Sequence, residues 1–280
     1  MWHVGAHVSR KKTIVETLKE VQKYGGTALQ IFVGNPRSGR LEPSTVKKYL
    51  SEAPSVREYL KANNMVLYIH SPYVLNLSSS ADYIVSTAVR EMQVAAALGA
   101  EGIVYHTGKW VTAGSQEAGI ARMHEVLESI IQSATNVTNG TKPYVILETS
   151  SGQGTELFPD IKDLMQFVKS LSKIQKSRIR FCLDTAHVYA AGYIDFEAAL
   201  KKLGGDRRIR MVPMVQLNNS KKPLGSRVDR HAGLLDKTAH IPQDSLKAIV
   251  RTCKRLGIDV IMETPNESYK SEIPWVLRAV

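Results

Sequence analysis

The chain has 280 residues, 43 % hydrophobic and 22 % charged, a balance that predicts a folded globular chain with a sizeable core and excludes disorder over most of its length. No apolar run approaches the roughly 18–20 residues needed to span a bilayer. The opening MWHVGAHVS carries no basic leader before an apolar stretch, so the expectation is an intracellular chain with no membrane partner and no secretory signal. The 37 Lys and Arg against 26 Asp and Glu leave a formal charge of +11, which suits an anionic partner as well as a basic solvated surface. Two cysteines, Cys182 and Cys253, make no disulfide framework.

Along the chain, eight short β-rich runs alternate with longer segments of helical periodicity. Run one, 2–6, precedes a helix over 12–24 that sets Ile14, Thr17, Leu18 and Val21 on one face and stops at Gly25-Gly26. Run two, 28–33, leads past Pro43 into a helix over 44–61. Run three, 66–70, ends in His70 and precedes a helix over 81–98 that stops at Gly99. Run four, 102–106, ends in His106; a helix over 118–134 and a polar loop over 136–142 follow. Run five, 144–148, ends in Glu148 before a helix over 160–171. Run six, 180–184, ends in Asp184, with His187 three residues on, before a helix over 196–203. Run seven, 211–217, is followed by a loop with Asp229-Arg230-His231 and a helix over 243–256. Run eight, 259–263, ends in Glu263, and a helix over 272–280 closes the chain. The spacing suits one βα unit per run. Eight such pairs predict an α/β fold, a (β/α)₈ TIM barrel in one domain over 1–280; a doubly wound open sheet is the alternative.

The residue types at the run ends matter most. In a closed parallel barrel the C-terminal strand ends converge on one face, where active sites are built. His70, His106, Glu148, Asp184 and Glu263 would then meet in one bowl, although they are far apart in sequence. A lone histidine or glutamate at a strand end is most often a hydrogen-bonded structural residue or a helix cap; five of eight strands ending this way is a pattern. Carboxylates crowded in a low-dielectric bowl repel one another unless cations neutralise them. Imidazole with carboxylate is the donor set of zinc and manganese, and more than four candidate ligands imply more than one metal. Multimetal sites suit phosphate ester hydrolysis.

At these residues the sequence resembles the endonuclease IV family of apurinic/apyrimidinic endonucleases, almost end to end. The resemblance is carried by Gly5-Ala6-His7-Val8-Ser9, by Leu147-Glu148-Thr149 with Gly152-Gln153-Gly154, and by Leu183-Asp184-Thr185-Ala186-His187 with Ala191-Gly192-Tyr193. It continues through Leu217-Asn218-Asn219-Ser220 and Gly225-Ser226-Arg227-Val228-Asp229-Arg230-His231. It implies three divalent metals, zinc above all: one on His70, His106 and Glu148; a second bridged by Glu148 and held by Asp184 and Glu263; a third on His187, Asp229 and His231. It further implies that activated water attacks the phosphate 5′ to an abasic sugar in double-stranded DNA, leaving a 3′-hydroxyl and a 5′-deoxyribose phosphate. Glu148, Asp184 and Glu263 would be the catalytic carboxylates, with Glu263 orienting the attacking group. Side activities as a 3′-phosphodiesterase or 3′→5′ exonuclease follow by the same resemblance.

One position departs from the family, which has histidine where this chain has Gln216, as a further ligand of the second metal. An amide oxygen is a weaker and harder donor than imidazole. The second metal is then expected to bind more weakly or to be manganese or magnesium, unless Gln216 is an engineered change.

Base-independent recognition needs positive charge along the phosphates and a group to fill the missing base. Loops after the runs supply Asn35, Arg37 and Arg40, then Tyr73, Lys109 and Trp110, then Lys221, Lys222, Arg227 and Arg230. The resemblance implies insertion at the lesion by the Asn35–Arg37 loop and Tyr73, although Pro36 and Gly39 stand where the family commonly has longer side chains. Lys201, Lys202, Arg207, Arg208 and Arg210 precede run seven and are assigned to the opposite rim. His3, His124 and His240 read as structural or surface, and His7 faces the bowl. One rival is a sugar isomerase or epimerase on the same barrel, which needs neither the charge nor the Arg-rich rim. Another is a damage-binding protein disabled by Gln216. A DNA face at one end of the barrel is compatible with a monomer.

Overall fold

Successive side chains of a strand point to opposite faces, and this single rule builds both the plug of the molecule and the bowl above it. The structure, a computed structural model, describes residues 2–137, 142–204 and 211–280. Its barrel strands are β1 (Val4–His7), β2 (Ala28–Phe32), β3 (Val66–His70), β4 (Gly102–His106), β5 (Tyr144–Glu148), β6 (Ile179–Asp184) and β7 (Met214–Gln216), closed by β10 (Asp259–Met262). A separate two-stranded ribbon pairs β8 (Asn219–Ser220) with β9 (His231–Ala232) antiparallel. The barrel is closed and parallel, in the order β1-β10-β7-β6-β5-β4-β3-β2. The helices are α1 (Ile14–Gln22), α2 (Pro43–Ala62), α3 (Tyr83–Leu98), α4 (Gln116–Val137), α5 (Ile161–Ser170), α6 (Lys173–Arg178), α7 (Thr185–Ala190), α8 (Phe196–Gly204), α9 (Gln243–Leu256) and α10 (Tyr269–Arg278). Among the described residues no helix is long and apolar enough to cross a membrane.

Inside the barrel, Ala28, Tyr68, Val104, Ile146, Cys182, Met214 and Ile261 form one buried apolar cluster. Each sits on a different strand. Two residues further along the same strands, on the same face, stand Gln30, His70, His106, Glu148, Asp184, Gln216 and Glu263. The barrel is therefore filled by hydrocarbon and capped by polar groups. On β1 the plug position is Gly5, because a Cβ there would lie 1.6 Å from the Ala28 carbonyl oxygen; His7 follows two residues on. A second, larger cluster fills the space between strands and helices, with Ile14, Leu18, Leu29, Ile69, Leu98, Leu147 and Ile249 fully buried in it. Burying each such side chain stabilises the fold by about 1.5–3 kcal/mol relative to exposure.

The eightfold alternation read from the sequence is present, with shifted edges. Strand one begins at Val4 and ends at His7 instead of Ala6. Strand seven contains only Met214–Gln216, since Pro213 has no N–H to donate to a ladder. The first helix begins at Ile14 because Thr13 caps it, accepting from the Glu16 N–H at 3.1 Å. The last helix begins at Tyr269, not Glu272. α6 and α7 went unread because six residues are too few to display a period.

At the bottom of the barrel, opposite the bowl, Asp259 opens β10. Its carboxylate accepts from Tyr68 Oη at 2.8 Å and from the His3 N–H at 2.9 Å. Burial outweighs these bonds and pushes its pKa up to about 6. The folded state thus holds this proton more tightly than the unfolded chain, so Asp259's contribution is best below about pH 4 and is lost as pH rises through about 6. Asp259→Asn is expected to flatten the stability profile between about pH 4 and 6, and to stabilise the protein near neutrality by about 1–2 kcal/mol after the loss of one acceptor. Urea unfolding at a series of pH values measures both; an unchanged slope over that interval refutes the assignment.

Candidate metal centre

The capping residues of the bowl assemble by register. His106 and Glu148 are directly paired across β4 and β5, and Asp184 and Gln216 across β6 and β7. Glu148 is 1 % exposed and stands at the centre. Its Oε2 lies 3.3 Å from His70 Nε2 and 3.2 Å from His106 Nε2, and its Oε1 lies 2.8 Å from His187 Nδ1. The imidazole orientations are set from behind. His70 Nδ1 lies 2.7 Å from the Ser71 carbonyl oxygen and His187 Nδ1 lies 2.9 Å from that of Thr149, so the Nδ1–H tautomer satisfies each carbonyl and leaves Nε2 as the ligating lone pair.

His187 lies on α7, whose N-cap is Asp184. The Asp184 side chain accepts from the His187 N–H at 2.8 Å, so one strand-to-helix turn delivers two candidate ligands. The ribbon of β8 and β9 brings in the others. His187 Nε2 is 3.2 Å from Asp229 Oδ2, and His231 Nε2 is 3.3 Å from Asp229 Oδ1 and 3.5 Å from Asp184 Oδ2. Asn218 Nδ2 donates to Asp184 Oδ2 at 2.6 Å, and the Asp229 N–H donates to Gln153 Oε1 at 2.9 Å. Two ligand groups result among the described residues: His70, His106 and Glu148, and Asp184, His187 and His231, with donor atoms in each group within 4.8 Å of one another.

The chemistry of these donors fits metal. His70 Nε2, His187 Nε2, His231 Nε2 and both carboxylate oxygens of Glu148 are buried without a hydrogen-bond partner. Leaving one such atom unsatisfied costs about 1–3 kcal/mol, more if it is charged; divalent cations between them would satisfy all five. Without metal the groups hold one another. Burial opposes charge on His70, but contact with Glu148 and the charges of Glu263 and Glu148 outweigh it and hold the imidazole at about 9. Burial likewise opposes charge on Glu148, and the nearby His106 and His187 overcome it, keeping the carboxyl well below its ordinary value. Burial raises Asp184.

Glu263 occupies a different environment. Its Oε1 receives Gln216 Nε2 at 2.9 Å and Gln30 Nε2, and lies 2.9 Å from His7 Nδ1. Against the pull of burial, the His7 contact and the charge of His70 lower Glu263 to about 2. Gln216 itself is fully buried. Its Oε1 accepts from Cys182 Sγ at 3.2 Å while its Nε2 serves Glu263, so the oxygen counted as a metal donor is turned toward the plug. Gln30 was missed in the sequence because its strand runs on to Phe32. The signal that finds it is its position two residues after the plug residue Ala28.

Around the bowl, Tyr73 is 58 % exposed and sits edge-on to Phe32 at 5.1 Å. Asn35 and Arg37 are exposed on the β2 loop, where Asn35 Oδ1 accepts from the Arg37 N–H at 2.9 Å. With His7, Phe32, Arg40 and Glu263 they line a cleft of about 740 Å³ that opens beside the bowl. Lys109 pairs with Glu156 at 3.4 Å. Lys222, Arg227 and Arg230 are exposed on the loop between β8 and β9. That loop packs closely at Gly152, where a Cβ would meet an Arg227 guanidinium nitrogen at 2.4 Å. The rim thus gathers the basic and aromatic residues read from the sequence. Lys201 and Lys202 lie in the last turn of α8, where Lys202 Nζ sits 5.1 Å from the centroid of the Tyr193 ring; Arg207, Arg208 and Arg210 lie outside the described residues.

Comparison with known proteins agrees with this geometry. Residues 18–279 match the family described as xylose isomerase-like TIM barrel. A probable endonuclease 4 from Symbiobacterium thermophilum is 31 % identical over 94 % of this chain and 92 % of its own length. One from Oceanobacillus iheyensis is 29 % identical over 95 % and 88 %. The crystal structure of endonuclease IV from Thermus thermophilus superposes with a TM-score of 0.77 at 29 % identity, covering 99 % of this chain and 96 % of that one. A D-tagatose 3-epimerase-like protein, 17 % identical with a TM-score of 0.68, shares the fold alone. On these grounds the chain belongs to the endonuclease IV family, built on the xylose isomerase-like TIM barrel.

Proposed function

We propose that this chain is a DNA-repair endonuclease that hydrolyses the phosphodiester 5′ to an abasic site in double-stranded DNA, leaving a 3′-hydroxyl and a 5′-deoxyribose phosphate. The observation that carries the reading is the set of five buried ligand atoms without hydrogen-bond partners around Glu148, at the floor of a basic and aromatic rim. His70, His106 and Glu148 would hold one divalent metal and His187, Asp229 and His231 another. Asp184, Glu263 and Glu148 would hold a third, with Gln216 weakening that position or shifting it toward manganese or magnesium. Bound cations would lower the pKa of water and offset charge on the phosphate, zinc being the metal these donors suit best.

The chain's own groups do the rest. Glu263, fixed by Gln216, Gln30 and near His7, presents an ionised carboxylate that orients the attacking water. Arg37, Lys109, Lys222, Arg227 and Arg230 would bind phosphates along the duplex, and Asn35 with Tyr73 would fill the gap at the lesion. A monomer suffices, since one face of one barrel holds every part. Relatives named endonuclease 4 and a charge of +11 support DNA over a small polyol substrate.

The test is a labelled duplex with one abasic site, incubated with chelated protein and then with zinc, manganese or magnesium. The expected result is a single nick 5′ to the site, absent with chelator and on the undamaged duplex, with affinity falling steeply as salt rises. Trimming of 3′-blocked ends is expected in the same assay. Sugar epimerisation without nicking, or tight binding with no nicking under any of the three ions, would overturn the reading.

A further inference from the structure

The proposed chemistry uses the residues that face into the bowl and leaves a buried acid on their outer side without a role. Glu91 lies on α3, 1 % exposed, in the layer between barrel and helices. Strand alternation makes it reachable from two ligand-bearing strands. Ser71 follows His70 and turns outward where His70 turns inward; Tyr105 precedes His106 and also turns outward. Ser71 Oγ donates to Glu91 Oε2 at 2.9 Å. The Tyr105 hydroxyl is buried in the same layer but makes no hydrogen bond there.

From Glu91 to His70 the path is two hydrogen bonds long: Ser71 Oγ to Glu91, and His70 Nδ1 to the Ser71 carbonyl oxygen at 2.7 Å. Ser71 is also tied across to β4 by its N–H on the Val104 carbonyl at 2.9 Å. Ser71 thus couples Glu91 to His70 on one side and to β4, the strand that ends in His106, on the other. An apolar residue would fill this place at less cost, because an isolated buried carboxyl is expensive; burial indeed raises Glu91 to about 8.

We propose that Glu91 is a positioning residue: through Ser71 it fixes the imidazole of His70 from behind and sets the metal affinity of the position that His70 shares with His106 and Glu148. This rests on the metal reading given under the proposed function. Outer partners of metal ligands of this kind change affinity by about 10–100-fold.

The experiment compares wild type with Glu91→Leu, Glu91→Gln and Ser71→Ala. Metal occupancy is measured at each group by anomalous scattering after dialysis against a graded zinc chelator, and His70 tautomer by nitrogen NMR on metal-free protein at about pH 10, above the value of about 9 at which the imidazole loses its charge. Expected for Glu91→Leu and Ser71→Ala is a loss of about 10-fold or more in affinity at His70, His106 and Glu148, with the His187, Asp229 and His231 group unchanged. The same variants should show mixed His70 tautomers without metal. Glu91→Gln keeps an acceptor for Ser71 and should stay close to wild type in both readouts. If Glu91→Leu does not fold, Ser71→Ala carries the test with the carboxylate in place. Unchanged occupancy and tautomer in the folded variants, or equal loss at both groups, would overturn the assignment. A wild type that holds no metal would overturn the metal reading first, and this assignment with it.

Discussion

Glu148→Gln is expected to abolish nicking of an abasic duplex to at least about one part in 10³, a barrier increase of ~4 kcal/mol, with the fold retained. Glu148 touches both ligand groups, through Oε2 toward His70 and His106 and through Oε1 toward His187. Glutamine has nearly the same shape but no charge, so it can neither bridge cations nor offset their repulsion. Metal content should therefore fall at both groups. Replacing a ligand of one group alone, as in His106→Ala, should empty that group and spare the other. Circular dichroism and metal analysis on the same samples separate these outcomes from misfolding. Full metal content with activity within about tenfold of wild type would show that Glu148 is not the bridge.

The second large effect belongs to Gln216. Its amide oxygen faces Cys182 Sγ and its nitrogen donates to Glu263, so neither amide atom is turned to ligate a metal between Asp184 and Glu263. Gln216→His is expected to raise zinc affinity at that position by about 10–100-fold and to move the preferred activating ion from manganese or magnesium toward zinc. The change also removes one of the groups that hold Glu263, so the gain should be larger in metal retention than in turnover. Isothermal titration of chelated protein with each ion, beside nicking assays, measures both. Identical affinity and identical ion preference in the two proteins would end the argument.

The two expectations differ in how they arise. Glu148 ends an apolar run, and its period-two position is written locally, so the sequence alone places it in the bowl once the barrel is inferred. Gln216 ends one too, but what its amide does depends on which atoms lie on either side, and those come from β6 and β10. The same holds for the basic rim. Tyr73, Lys109 and Arg230 are recognisable as loop residues after strands, yet only the folded chain brings Tyr73 against Phe32 and Lys109 against Glu156.

By itself the sequence determined the eightfold alternation and the run-end residues His70, His106, Glu148, Asp184 and Glu263, and it favoured a closed parallel barrel over an open sheet. It could do so because strand period, helix stop signals and apolar runs are properties of a few adjacent residues. The tertiary structure decided what no local pattern contains. A two-stranded ribbon and the loop between its strands carry His231 and Asp229 to Asp184 and His187, and His7, Gln30 and Gln216 converge on Glu263. It also set Glu91 behind the metal ligands. These arrangements depend on contacts between residues 20 to 256 positions apart, and side-chain direction there is settled by packing and by the need to satisfy every buried donor and acceptor.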